Sequence, residues 1–329
     1  MNAAPLPRPT LRPPPAFLGR RGQILLGALV AVAMTLVSLV DVVAAERTIV
    51  DASGRSVTVG DARRIVTIGG DVTETVYALG AADRVVARDQ TSVYPPAVFE
   101  KPDVGYMRAL SAEGVLSVAP DLILAAEGAG PEATLDILKS AAVPIVFVPK
   151  GETPAGAAAK IRLIAAALGL EEKGAALAGS VEADFEAVEA AIAKLPPESR
   201  KRVVFLLSFQ GGKPLAAGSG TAADAMIGLA GGVNPLHEIA GYRPAAEEAI
   251  AAAAPDVVLM MTRGAEDAPK AEEIFAAPAF AATPAARSQA LIVMDAALLN
   301  FGPRAAAAAR DLAHRLYPDL ALPTLAAGR

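Results

Sequence analysis

The sequence predicts an α/β protein built as two similar, Rossmann-like lobes joined by one long backbone helix. Three observations carry that prediction. Short apolar strands alternate with helical stretches from Arg47 to Pro149. An Ala-, Glu- and Lys-rich run fills the middle of the chain, and after it the strand–helix order starts again.

The elements read as follows. "RTIVDASGRSVTV" is two small strands joined at Ser53-Gly54. "RIVTIGG" is an apolar strand ending in glycines, after which Asp71 and Thr73 are placed to cap the helix "TETVYALGA". "DRVVARD", "PDLILAA" and "PIVFVP" continue the rhythm of a mostly parallel sheet. Between Ala155 and Leu195 the spacing is helical, with breaks marked only by Gly169 and Gly174. Residues 171–195 predict one helix of about 37 Å, at 1.5 Å per residue, and Pro196-Pro197 stops it. "KRVVFLLS" and "PDVVLMMT" are strands of the second series, and "GSGTAADAMIGLAG" is a turn running into a helix. The two series match most closely where "EGVLSVAPDLIL" (Glu113–Leu124) aligns with "EAIAAAAPDVVL" (Glu248–Leu259), with Glu, Ala, Pro and Asp in register. The expected division is 46–170 for the first lobe, 171–195 for the joining helix and 196–329 for the second.

Residues 1–45 read as an export signal. A proline-rich start carries Arg8, Arg12, Arg20 and Arg21, an apolar run of 17 residues follows from Ile24 to Val40, and Val43-Ala44-Ala45 suits cleavage before Glu46. A membrane anchor is the competing reading, and 17 residues is at the short end for a span. Arg20-Arg21 fits a twin-arginine signal only in part, and a positive leader segment explains the pair more simply.

Four Arg and one Asp of the chain's 30 basic and 35 acidic residues fall before Glu46. The remaining 284 residues therefore carry 26 and 34, a net charge of −8. An acidic chain lacks the clustered basic face that nucleic acid requires. Cysteine is absent, so no disulfide forms and no lipid can be attached to an N-terminal cysteine. These features suit a soluble periplasmic protein.

Catalytic signals are weak. His237 and His314 have no partner at a recognisable spacing, and no G-x-S-x-G elbow or Walker sequence is present. "GSG" at 218–220 lacks the third glycine of a dinucleotide fingerprint. Two separated histidines and no cysteine argue against a zinc or copper cage. "GYMR", Gly105–Arg108, is different. A loop tyrosine is ordinarily a satisfied amphipathic side chain. A phenolate is also a hard oxygen ligand for ferric iron and an axial ligand of haem. Arg108 is placed to favour the phenolate or to pair with a carboxylate.

"RIVTIGGDVTETVYALGAADRVVARDQTSVYP", "VGYMRALSAEGVLSVAPDLIL", "GSGTAADAMIGLAGGVN" and "LLNFGPRAAAAARDLA" resemble the periplasmic haem-binding proteins of bacterial haemin ABC importers, across nearly all of residues 47–316. "GYMRALSAEG" is the most specific part; the "PDLIL" segments are shared with siderophore and cobalamin carriers. The resemblance implies two α/β lobes with haem in the cleft between them, and an inner-membrane ABC permease dimer with its ATPase as the partner of a monomeric carrier. It implies that Tyr106 ligates the iron and that Arg108 lies beside the haem. A second-lobe arginine steadies the phenolate in some members, and Arg263 is the candidate here, against the plain reading of a solvated loop arginine. Tyr242 and Arg243 of "GYRP" are candidates to line the cleft or approach the propionates. Some relatives use a histidine opposite the tyrosine; Phe209-Gln210 stand at that place, so tyrosine-only protein ligation is expected, without His237. Glu113 and Glu248 match the glutamates, one per lobe, that meet arginines of the permease dimer, although a helix-surface glutamate is usually just solvated. A siderophore or cobalamin carrier of the same fold is the alternative; a haem-dependent or hydrolytic enzyme is a more distant one.

Overall fold

A computed structural model describes residues 46–262, 270–295 and 299–326. The export-signal reading of residues 1–45 and the candidate Arg263 lie outside the described residues.

The chain opens with a small antiparallel hairpin, β1 (Arg47–Val50) and β2 (Ser56–Val59). A four-stranded parallel sheet follows, in the order β4 (Val85–Arg88), β3 (Ile65–Ile68), β5 (Leu122–Ala126), β6 (Ile145–Val148). Helices α1 (Gly70–Ala78), α2 (Ala112–Leu116) and α3 (Glu132–Ser140) lie between its strands in sequence. The second sheet has the order β11 (Leu291–Asp295), β10 (Val257–Thr262), β7 (Val203–Gln210), β8 (Lys213–Ala217), β9 (Tyr242–Pro244). Its first three strands run parallel, and β8 and β9 add an antiparallel edge. Around this sheet lie α6 (Ala222–Leu229), α7 (Glu247–Ala253), three short helices α8 (Ala271–Phe275), α9 (Pro278–Ala281) and α10 (Pro284–Ser288), and α11 (Ala305–Leu316). The result is the mixed α/β architecture that the strand–helix alternation predicts.

Each sheet is buried on both faces, as expected for strands covered by helices. Ile65, Leu122, Leu124 and Val146 pack with Val72 and Val76 of α1 on one side of the first sheet. Val66, Ile68 and Ile123 face Val115, Leu135 and Leu138 on the other. Each such aliphatic side chain, fully buried, contributes about 1.5–3 kcal/mol relative to being left exposed. The second sheet repeats the arrangement, with Phe205 and Leu259 on one face and Leu206 and Val258 on the other.

The two cores are joined through α4 (Pro154–Leu168) and the 22-residue α5 (Glu171–Ile192). On α5, Ala178, Val181, Phe185, Val188 and Ile192 recur at helical spacing and enter the second core. The long helix does not bridge alone. Ala157, Ala158 and Ile161 of α4 pack into the second core, and Ile164, Ala165 and Leu168 of the same helix into the first. One rigid rod is thus shared by both lobes.

Two local expectations change. Gly169, with φ of 69°, does close α4, but Gly174 is no break: it lies inside α5. A Cβ there would overlap the Cβ of Ala165, so glycine is what lets α4 and α5 approach. Asp71 and Thr73 do not cap α1, which starts earlier, after Gly69. The turn needs Gly69 at φ 114°, and the Gly69 N–H is satisfied by the buried Asp89 carboxylate at 2.9 Å.

The internal repeat is reproduced in backbone detail. Helices α2 and α7 are followed by alanines at equivalent positions with φ above zero, Ala119 at 45° and Ala254 at 41°. Asp121 and Asp256 then accept the N–H groups of Arg64 (2.9 Å) and Arg202 (2.8 Å). The same arginines reach back to the equivalent carbonyls of Val118 (2.6 Å) and Ala253 (2.8 Å).

The close helix contact gives a paired prediction. Gly174→Ala is expected to destabilise the protein by about 1–3 kcal/mol through overpacking. Gly179→Ala, on the same helix with open space around it, is expected to stabilise it by about 0.5–1 kcal/mol. Urea denaturation of both variants checks this, and equal effects of one sign would contradict the close packing.

Candidate ligand cleft

The "GYMR" segment is tied down by its backbone. Val104 N–H donates to the Arg88 carbonyl at the end of β4, and Gln90 N–H donates to the Gly105 carbonyl at 2.9 Å. Asp103 accepts from the Gly105 N–H (2.7 Å) and from the Arg88 guanidinium (3.1 Å). Beyond the tyrosine, Ala109 N–H closes a tight turn onto the Tyr106 carbonyl at 2.8 Å. Gly130, in the loop after β5, bonds both the Met107 carbonyl and the Leu110 N–H. Gly105 has φ of 99°, a conformation open to glycine and strained for other residues. The segment thus sits at the C-terminal rim of a parallel sheet, where α/β folds place their ligands.

Within this turn Met107 packs against both faces' cores of the first lobe. Tyr106, beside it, is half-buried, and its hydroxyl has no hydrogen-bonding partner among the described residues. Arg108 is exposed and makes no ion pair among them. Glycine, phenol and guanidinium are therefore presented on a fixed backbone, with both polar heads uncommitted.

Tyr242 belongs to the second lobe, on the edge strand β9, where it pairs with Ala217. Its ring meets Phe205 edge-on, with centroids 6.3 Å apart. Burial pushes the Tyr242 phenol up from its ordinary pKa, and the Glu152 carboxylate adds to the effect. The Ala223 N–H, the Thr221 hydroxyl and the Arg108 charge oppose it without reversing it. Tyr242 is therefore a neutral phenol at pH 7. The charge of Arg108, from the first lobe, is thus felt at Tyr242 in the second. Arg243 is exposed and, one residue further along the strand, projects from the opposite face, so it does not stand beside Tyr242.

His237 is exposed, and its Nδ1 lies 3.1 Å from the Asp224 carboxylate, which also accepts from Asn234. His314 is exposed in the last turn of α11. Among the described residues no group of three or more His, Cys, Asp or Glu is gathered to hold a metal ion, and no helix is long and apolar enough to cross a membrane. Glu113 and Glu248 are both exposed, each in the first turn of its short helix, at equivalent places in the two halves of the repeat.

Several residues of the cleft were not legible in the sequence. Glu152 acts on Tyr242 from a loop that carries no motif, and Thr221, in the "GSGTAADAMIGLAG" turn, gives no sign by its residue type that it faces Tyr242. Asp89 receives the N–H groups of Gly69 and Thr91 and the hydroxyl of Ser92, joining the start of α1 to the loop that holds Gly105. A lone aspartate after a strand gives no sign of that role.

The comparisons agree with this architecture. The chain is 36% identical to the periplasmic haem-binding protein RhuT from Roseiflexus sp. RS-1, covering 78% of this chain and 98% of that one, with a TM-score of 0.74. It is 42% identical to the periplasmic haem-binding protein BhuT, solved with two haems, over 78% and 99% of the two chains, with a TM-score of 0.73. Among curated proteins it is 27% identical to YvrC, an uncharacterised ABC transporter substrate-binding lipoprotein of Bacillus subtilis, over 83% of this chain and 86% of that protein. Residues 65–298 match the periplasmic binding proteins as a family, and with two α/β lobes meeting at such a cleft the chain belongs to that family.

Proposed function

We propose that this chain captures haem in the cleft between its lobes and delivers it to an inner-membrane ABC permease driven by its ATPase. One observation carries the reading. Tyr106 is half-buried on a fixed turn with its hydroxyl unpartnered, beside an unpaired Arg108 whose charge reaches Tyr242 of the other lobe. A phenolate is a hard ligand suited to ferric haem iron. It needs a nearby positive charge to form at neutral pH, because an unperturbed phenol ionises near pH 10. Bound ferric iron is itself such a charge, and Arg108 is placed to pair with a propionate. The 42% identity to BhuT and 36% to RhuT, both haem-binding proteins, support the same cargo.

In this reading Tyr106 is the axial ligand, Arg108 lies by the haem and Tyr242 donates from the second lobe. Arg243 has a weaker claim because it projects from the opposite face of its strand. Arg263 remains the candidate to steady the phenolate. Residues 46–170 and 196–329 are the two lobes, with 171–195 as the connection and α4 sharing its work. The mature chain works as a monomer in the periplasm after cleavage near Ala45. Glu113 and Glu248 dock it onto the permease by charge pairing, which orients encounter and raises the association rate more than it adds affinity.

Two outcomes test these roles. Tyr106→Ala is expected to abolish the high-spin ferric tyrosinate spectrum of the haemin complex and to weaken binding by about tenfold or more, or about 1.4 kcal/mol and above. An unchanged spectrum would assign the iron to another ligand. Reversing both glutamates, Glu113→Lys with Glu248→Lys, is expected to slow haem transport into permease-containing vesicles while leaving haem affinity intact. Loss of haem binding in that variant would remove the docking role.

A further inference from the structure

Three buried charged side chains, Asp71, Glu74 and Lys160, and the half-buried Arg304 stand where the lobes meet, and the proposed haem chemistry uses none of them. Lys160, on α4, is 0% exposed, and its ammonium donates to the Asp71 carboxylate of α1. The carbonyls of Asn300 (3.3 Å) and Phe301 (3.4 Å), from the second lobe, complete its surroundings. Glu74, further along α1, accepts twice from Arg304 of the second lobe: from its N–H at 3.2 Å and its guanidinium at 2.9 Å. The ring of Tyr94, from the first lobe, covers that guanidinium, with 3.4 Å between the guanidinium carbon and the ring centroid. The surfaces fit closely. A Cβ on Gly70 would stand 2.6 Å from the Asn300 amide nitrogen, and one on Gly302 would touch the Glu74 carboxylate.

Helix α1 thus meets the other lobe directly through Glu74 and, by way of Lys160, through Asp71, and the segment 300–304 answers with a cation and two carbonyls. The physical consequence differs from that of an apolar contact. An apolar interface can slide at little cost, whereas sliding a paired carboxylate and guanidinium out of register while the junction stays closed leaves each charge buried without its partner. Burial pushes the Glu74 carboxyl up, and its two bonds to Arg304 oppose that shift without reversing it. The same helix start is connected to the ligand turn. Asp89 holds the Gly69 N–H, Thr73 and Ser92 share a hydrogen bond of 2.6 Å, and the neighbouring Gln90 N–H holds the Gly105 carbonyl.

We propose that Asp71–Lys160 and Glu74–Arg304, covered by Tyr94, form an interlobe latch that fixes the separation of the two lobes before any ligand arrives. The cleft is then preformed, and the distance from Tyr106 to the Tyr242 side of the cleft is set by this junction together with the shared helix α4.

The natural chain has no cysteine, so Ser140→Cys on α3 and Ser288→Cys on α10, both exposed, admit one spin label on each lobe. Pulsed electron paramagnetic resonance on ligand-free protein reads the distance distribution between them. The parent is expected to give one narrow population, and Arg304→Ala to broaden it by about twofold, with Arg304→Lys restoring part of the narrowing. A folded Arg304→Ala protein with the parent's width would overturn the latch, as would a parent that is already broad. Should Arg304→Ala fail to fold, Tyr94→Ala, which removes a partly exposed ring, decides by the same criterion: broadening supports the latch and the parent's width overturns it. No haem is present in these samples, so the result is independent of the cargo.

Discussion

The cleft depends on the junction that holds its two walls. The lobes share one helix, α4, whose first half packs into the second core and whose second half packs into the first. Helix α5 lies against it at a distance that only a glycine at 174 permits. Beside this apolar bridge, Lys160 and Arg304 meet the carboxylates of α1 in buried contacts. Hydrophobic packing supplies most of the attraction and is tolerant of direction. The buried ion pairs add direction, because each requires a particular partner at a particular place. Ligand groups offered from opposite lobes can act together only if that relation is kept.

On this frame the chemistry of the cleft is sparse. Tyr106 and Arg108 project from a turn whose carbonyls and N–H groups are engaged by Gln90, Asp103, Ala109 and Gly130. The second lobe contributes Tyr242, kept neutral by burial and by Glu152. The two phenols, one on each lobe, thus differ in their surroundings: the Tyr106 hydroxyl is unpartnered among the described residues, and Tyr242 is partly buried among second-lobe groups. His237, the histidine nearest to these residues in sequence, is held by Asp224 and is exposed. An arrangement with a hard oxygen, a cation and a neutral donor suits holding an anionic iron complex and releasing it.

Much of the fold could be read from the sequence because its signals are local. Apolar runs of strand length, the Pro196-Pro197 stop and the Glu113–Leu124 repeat gave the two α/β series, and the repeat returns as matched alanines with positive φ at 119 and 254. The turn around Tyr106 was legible because a phenol and a guanidinium beside a glycine have no plain folding purpose. What could not be read depends on distant partners. Lys160 lies in an alanine-rich helix where a lysine ordinarily points to water, and only the fold brings Asp71 and Asn300 to it. Gly174 looked like a helix break because a close helix crossing leaves the same mark as a turn. Asp71 and Thr73 looked like caps because their residue types suit that role, whereas the Gly69 turn moves the helix start ahead of them. The antiparallel strands β8 and β9 are short and rich in proline and glycine at their ends, so alternation gave no sign of them.

The claim that this cleft is built for haem is tested most directly by competitive titration of the mature chain with haemin, cobalamin and a ferric siderophore, followed by absorbance and thermal protection. Haemin alone is expected to bind and to raise the melting temperature, with the absorption of high-spin ferric haem on an oxygen ligand. Protection by cobalamin or the siderophore, with none from haemin, would contradict the account.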